Sequence, residues 1–266
     1  MTRIMMSNTT IYPSLKDRVV FISGGSSGIG AELVRSFAAQ GARVAFCGLS
    51  ADGGPAVVES VVAAGHAAPY FEPCDVRDVA AYQALLGRVG EKLGAIRVLV
   101  NNAGRDDRHA MEDVTSAYWD DRISLNLKHY FFAIQAVAPG MAAAGGGSVI
   151  NMGSVSWMRG RPNLAGYTTA KAGILGLTRT LARELGARNI RVNAIVPGAI
   201  VTERQTALHR DPAADQQFLD AQCLKIRLDP GHVARPTLFL AADDSDGMTG
   251  QHVLVDAGIA QQSVIS

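Results

Sequence analysis

The sequence predicts a doubly wound α/β fold, with a parallel seven-stranded sheet and helices on both faces. Three observations carry that prediction. Short apolar, β-rich runs alternate with segments of helical periodicity along the whole chain, and such alternation with short connections builds a parallel sheet covered on both sides. A glycine cluster, G-G-S-S-G-I-G (24–30), follows the first strand and opens the first helix. Hydrophobic residues make up 48% of the 266 residues and charged residues 18%, enough apolar material for a substantial core.

Residues 1–15 read as an irregular lead-in. The first strand is R-V-V-F-I-S (18–23). A helix follows over 31–40, because Leu33, Val34 and Phe37 share one face and Gly41 stops it. The second strand is 43–47, with a helix over 54–64 and a stop at Gly65. The third strand is 68–72 and the next helix 78–92. The fourth strand, I-R-V-L-V (96–100), runs into N-N-A-G (101–104). One long helix is expected over 117–143, then a strand at 148–152, a second long helix over 165–186 and a strand at 190–196. A helix over 231–241 and a strand at 252–256 close the pattern. The polar segment 199–229 is too long for an ordinary connection and leaves the C-terminal end of a strand, a place for a substrate-binding lid. No repeat, low-complexity block or linker divides the chain, so a single domain over 1–266 is expected.

The composition narrows the classes of function. Formal net charge is +1 and no run of Lys or Arg appears, so neither nucleic acid nor an anionic membrane is an expected partner. Cys47, Cys74 and Cys223 lie far apart without a C-x-x-C pair, which suits a reducing cytoplasm and argues against zinc or a disulfide framework. The N-terminus lacks an apolar signal core, and no apolar run reaches the ~18 residues of a membrane span. His66, His129, His232 and His252 are scattered without ligand-like spacing and read as structural or surface residues; no metal is expected.

The glycine cluster has a specific chemistry. Gly24, Gly28 and Gly30 form G-x-x-x-G-x-G between a strand and a helix. Glycines there allow a tight turn and bring free N–H groups at a helix N-terminus up to a pyrophosphate. The residue that reads the adenosine ribose belongs at the end of the second strand, where an acid would bond the 2′-OH and select NAD. That place reads C-G-L-S (47–50), with Gly48 where the acid belongs and Leu49 where an arginine would welcome a 2′-phosphate. The expectation is a permissive site, NADP or dual, in which Ser26, Ser27 and Ser50 are candidate partners of the 2′ group.

A second constellation lies in 154–171. Tyr167 and Lys171 are one helical turn apart on one face. A phenol titrates near pH ~10, and a neighbouring ammonium favours the phenolate. Lowering that pKa by two or three units takes roughly 3–4 kcal/mol, which one lysine and a cationic cofactor ring can supply. The pair alone is chance-prone; its company decides.

Gly24-x-x-x-Gly28-x-Gly30, Asn101-Asn102-Ala103-Gly104, Asn126, Ser154, Tyr167-x-x-x-Lys171 and Pro197-Gly198 stand in one order and at one set of spacings. In these the chain resembles the short-chain dehydrogenase/reductase family, a Rossmann-type dinucleotide fold, over about residues 15–258. Ser23 stands where the family usually has threonine. The resemblance implies Tyr167 as general acid/base, Lys171 as the group that lowers its pKa and bonds the nicotinamide ribose, Ser154 as the holder of the substrate oxygen, and Asn126 as the holder of a proton-relaying water. Gly24, Ser26, Ser27, Gly28, Ile29, Gly30, Leu49 and Ser50 are expected at the phosphate and ribose end. Asp75 and Val76 are expected at the adenine, with Asn102, Ala103 and Gly104 along the adenosine side. Pro197, Gly198, Ile200 and Thr202 are expected around the nicotinamide. A homotetramer is implied too, with the two long helices at its interfaces.

The segments I-Y-P-S-L-K (11–16), N-N-A-G-R-D-D-R-H (101–109), D-V-T-S-A-Y-W-D-D-R-I (113–123), G-S-V-S-W (153–157) and A-Q-C-L-K (221–225) look like those of bacterial aldose 1-dehydrogenases. Such enzymes oxidise the anomeric hydroxyl of xylose-, arabinose-, fucose- or galactose-type sugars to a lactone. Asp106, Trp157 and Gln222 are then the candidate sugar contacts, beside Ser154 and Tyr167. Two alternatives stay open: a carbonyl, 3-oxoacyl or polyol reductase, and a non-catalytic dinucleotide-binding regulator. Asp106 to His109 also fit a solvated turn or a subunit contact, and Trp157 a packing role.

Overall fold

In β1 (Val19–Ser23) successive side chains point to opposite faces of the sheet, and both faces are apolar. Val20 and Ile22 enter a core shared with α1 (Gly28–Ala39) and the last helix, α8 (Pro230–Ala241). Val19 and Phe21 enter a second core with α3 (Val79–Leu93) and α5 (His129–Ala143). The computed structural model describes residues 10–49, 53–203 and 212–261, and the central strands follow the same logic of burial on both sides, while the edge strands Tyr70–Pro73 and His252–Val255 are only partly buried.

The other strands are β2 (Arg43–Gly48), β3 (Tyr70–Pro73), β4 (Val98–Asn101), β5 (Gly147–Met152), β6 (Ile190–Pro197) and β7 (His252–Val255). They form one seven-stranded sheet in the order β3-β2-β1-β4-β5-β6-β7, with every pairing parallel. This is the doubly wound Rossmann arrangement predicted. The chain reverses direction across the sheet between β1 and β4, so the loops after these strands part at the crevice where such sheets bind ligands. Because all strands are parallel, the glycine cluster, the 101–104 loop, the 153–164 loop and residues 198–203 leave the sheet at one edge.

The remaining helices are α2 (Gly53–Ala63), α4 (Ser116–Ile123), α6 (Ala165–Leu185) and α7 (Pro212–Ala221). Most expected boundaries fall within two or three residues of these. The first helix starts earlier than expected, at Gly28, because it continues directly from the glycine turn. The long helix read over 117–143 is not uniform: a π-helical turn, Ser124–Lys128, separates α4 from α5. The segment 199–229 is not irregular throughout, since it contains α7, and Ile200 bridges Leu228 beside the sheet edge. Residues 1–9 of the lead-in and part of this segment, 204–211, lie outside the described residues. Among the described residues no helix is long and apolar enough to cross a membrane.

Candidate active site

At the end of β1 the buried Ser23 ties two loops together. Its Oγ accepts hydrogen bonds from the N–H groups of Asn102 (3.0 Å) and Ala103 (3.1 Å). Asn102 in turn donates through Nδ2 to the carbonyls of Ser23 (3.0 Å) and Gly24 (3.1 Å). The threonine-to-serine difference at position 23 therefore keeps the working hydroxyl. The approach is close: a Cβ on Gly30 would lie 1.9 Å from the Gly24 carbonyl oxygen, and one on Gly24, at φ +68°, 2.9 Å from Ala103 Cα. Only glycine fits either place.

α1 begins immediately beyond, with Ser27 extended at its N-cap and no side chain capping its first N–H groups. Those donors carry the positive end of the helix dipole, and they face a cavity of about 700 Å³. An uncapped helix N-terminus on a glycine turn is the donor set that a dinucleotide pyrophosphate requires, so the residues present fit an NAD(P) cofactor. The cavity runs from Gly48, Leu49 and Val76 past Asn102, Ala103 and Gly104 to Ser154, Tyr167 and Lys171, with Pro197, Gly198, Ile200 and Thr202 opposite. Gly24, Ser26, Ser27, Gly28, Ile29 and Gly30 line its phosphate end, and Asp106 lines it too. Ser50 lies outside the described residues.

Asp75 is not on the wall. Arg77 grips its carboxylate through Nε (3.0 Å) and Nη2 (2.6 Å) and holds the carboxyl below its ordinary range. Val76 and Arg77 line the cavity in its place.

The chemical centre is built on β5, α6 and the π turn. Lys171 is almost fully buried. Its Nζ donates to the Met152 carbonyl (2.8 Å) and the Tyr130 hydroxyl (3.1 Å) and lies 5.7 Å from the centroid of the Tyr167 ring. Burial brings its pKa down to about 7, against a smaller opposing pull from the Asp106 carboxylate. Ser154 is held by its neighbour: Oγ donates to Ser156 Oγ (2.9 Å) and accepts from the Ser156 N–H (3.1 Å).

Asn126 is completely buried behind this group and does not line the cavity. Its Nδ2 donates to the Arg122 carbonyl (3.0 Å), and its Oδ1 accepts from the Arg105 N–H (2.7 Å). An α-helix would give the Arg122 carbonyl to the backbone N–H of residue 126. The Asn126 side-chain amide reaches that same carbonyl, a contact of the kind found where a helical ladder opens into a π turn. Asn126 Oδ1 and Lys171 Nζ converge on Gly104, lying 2.9 Å and 3.2 Å from where its Cβ would stand.

Of the D-D-R-H run, Asp106 alone lines the cavity. Asp107 is committed to Arg122 (2.5 Å) and Arg105 (2.9 Å). His109 stacks edge-on against Tyr118. Trp157 and Gln222 are not brought to the cavity wall. Trp157 is half-buried, and Gln222 is buried with Nε2 bonding the Leu224 (3.0 Å) and Ile226 (2.7 Å) carbonyls, where it holds the bend after α7.

Sequence reasoning missed Tyr130, Arg122, Arg77 and the Met152 carbonyl. Arg122 stands four residues before Asn126, so helical spacing could have placed it beside that residue.

A family model described as enoyl-(acyl carrier protein) reductase matches residues 24–260. The chain is 49% identical to a probable galactose dehydrogenase of Rhizobium meliloti, over 93% of this chain and 97% of that one. It is also 49% identical to a D-xylose 1-dehydrogenase of Caulobacter vibrioides, over 94% of this chain and 99% of that one. The crystallised 7 alpha-hydroxysteroid dehydrogenase in complex with NADH and 7-oxo glycochenodeoxycholic acid superposes with a TM-score of 0.87 at 31% identity, over 92% of this chain and 96% of that one. A glycine turn, a buried lysine beside a tyrosine, and relatives matched from end to end lead to one conclusion: the chain belongs to the short-chain dehydrogenase/reductase family of NAD(P)-dependent oxidoreductases.

Proposed function

We propose that the protein oxidises the anomeric C1 hydroxyl of an aldose of pentose, galactose or fucose type to the lactone. The observation that carries this reading is the placing of one carboxylate, Asp106, on the same wall as Ser154, Tyr167 and Lys171. A charged acceptor beside the reacting centre discriminates strongly between a substrate with a hydroxyl there and one without. The two 49%-identical relatives are sugar dehydrogenases by name, which supports the same substrate class.

In this reading Ser154 turns its one hydroxyl proton from Ser156 Oγ to the substrate oxygen and still accepts from the Ser156 N–H. Tyr167 takes the hydroxyl proton. Lys171, buried and held by Met152 and Tyr130, stabilises the phenolate and bonds the nicotinamide ribose. Asn126 fixes the 105 loop and, with a water, passes the proton outward. When bound, the nicotinamide ring supplies the hydride acceptor for C1. Val76 and Arg77 serve the adenine pocket, and Thr202 the carboxamide. Gly48 leaves the ribose site without an acid, so NADP is accepted, alone or beside NAD. The described part of the 199–229 segment that lines the cavity, Ile200, Thr202 and Glu203, acts as the base of a lid.

The enzyme is read as a cytoplasmic homotetramer. Trp119 on α4 and Phe131 on α5 are exposed large apolar side chains on the first long helix, which supports interfaces there.

The test is a panel of aldoses with NAD and NADP, followed at 340 nm. Reduction of the cofactor with at least one aldose is expected. Turnover confined to 3-oxoacyl thioesters or ketones would replace the sugar reading by the reductase one, which the family model's description favours. Tyr167→Phe should lower turnover by about 10²–10⁴-fold while nucleotide affinity stays within a few-fold.

A further inference from the structure

The glycine turn lies flat against the end of β2. The Gly25 N–H donates to the Cys47 carbonyl (2.8 Å), and a Cβ on Gly25 would sit 2.6 Å from the Phe46 ring. From this turn Ser26 points at Gly48. A Cβ on Gly48 would stand 2.1 Å from Ser26 Oγ and 2.9 Å from Ser26 Cβ. Rotating the serine hydroxyl relieves the first contact and leaves the second. Moving β2 away is resisted on its other side, where the Gly48 carbonyl accepts from the Cys74 N–H (3.2 Å). The missing acid at position 48 is therefore a matter of volume as well as chemistry: Ser26 occupies its place. Both residues line the cavity, and Ser26 Oγ is enclosed with no hydrogen-bond partner among the described residues. A buried hydroxyl without a partner is costly unless a ligand supplies one.

We propose that Ser26 and Gly48 act as one unit that reads the 2′ position of the cofactor's adenosine ribose. Ser26 puts a neutral hydroxyl where an NAD-selecting site holds a carboxylate. A hydroxyl donates to a 2′-phosphate and exchanges hydrogen bonds with a 2′-OH, so the unit admits both. The inference rests on the cofactor reading above and adds that position 48 cannot be changed without position 26. An acid introduced at 48 alone does not create an NAD site; it drives into Ser26. With Ser26→Gly the same acid has room.

Adenosine 5′-monophosphate and adenosine 2′,5′-bisphosphate, titrated calorimetrically into the intact protein, test this without turnover. The native chain is expected to bind the two within about tenfold of each other. Gly48→Asp should weaken the monophosphate. Ser26→Gly/Gly48→Asp should recover it to within about threefold of the native value and bind the bisphosphate about 100-fold more weakly, through like-charge repulsion. Tighter monophosphate binding in Gly48→Asp alone, or a double variant whose effect is the product of the two singles, overturns the coupled unit. If the native chain binds neither probe, the dinucleotide reading falls and the unit with it. Gly48→Ala gives a readout free of ligand. Its melting temperature should drop, and Ser26→Gly should raise the melting temperature of Gly48→Ala more than that of the native chain; equal effects on both overturn the contact.

Discussion

Lys171 shows at the scale of one residue why burial decides chemistry. The ammonium has a carbonyl and a phenol as hydrogen-bond partners, and burial brings its pKa from 10.5 down to about 7. Between about pH 7 and 10.5 the unfolded chain holds this proton while the folded chain sheds it, so folding stability from this group rises with pH across that window. The stability difference between the native chain and Lys171→Met should shift in the native chain's favour from pH 7 to 10, measured by urea unfolding at each pH. A difference independent of pH would contradict the burial argument. The opposite end of the scale is steric. Gly30→Ala sets a methyl group against the fixed Gly24 carbonyl. It should destabilise the fold by at least about 1–3 kcal/mol, the usual cost of overpacking, and weaken nucleotide binding. Unchanged affinity for adenosine 5′-monophosphate would remove the turn from the phosphate site. Gly30, Tyr167 and Lys171 were legible in the sequence because their spacing is local. Tyr130 was not, because its role depends on β5 delivering the Met152 carbonyl beside it.

At the scale of elements the π turn is the informative case. Periodicity over 117–143 predicts one helix, and it has no sign for a local insertion. At the turn one buried amide bonds the Arg122 carbonyl and accepts from the Arg105 N–H. Asn126→Leu removes the acceptor of the Arg105 N–H, at about 1–3 kcal/mol, so it should lower the unfolding midpoint and reduce turnover together. The contrast is α8. Its N-cap Asp229 accepts from the His232 N–H (3.1 Å), and His232 Nδ1 returns a bond to the Asp229 N–H (3.1 Å). Asp229→Ala should cost about 1 kcal/mol of stability and leave KM and kcat unchanged. A fall in kcat would tie α8 to the site through the adjoining 199–229 segment.

For the whole molecule, two measurements bear on how the parts hold together. His129 lies under the 101–104 loop, with Nε2 3.2 Å from the Ala103 carbonyl, and burial aided by Lys171 brings its pKa to about 3. From about pH 6.5 down to 3 the unfolded chain takes up a proton that the folded chain refuses, so this group makes stability fall as pH falls. His129→Gln should flatten that part of the acid-unfolding curve, followed by circular dichroism. Static light scattering should give four chains per particle; a monomer mass would end the tetramer reading. The sequence by itself determined the element order, the parallel sheet, the glycine turn and the tyrosine–lysine pair. These are set by period, by backbone freedom at glycine and by spacing within one helix, all local properties of the chain. Only the tertiary structure decided that the order is β3-β2-β1-β4-β5-β6-β7, that Asp106 and not Asp107 faces the cavity, and that Ser26 fills the place of the absent acid at Gly48. Each of these depends on which groups from distant parts of the chain compete for the same volume or the same hydrogen bond, and spacing along the chain holds no record of that competition.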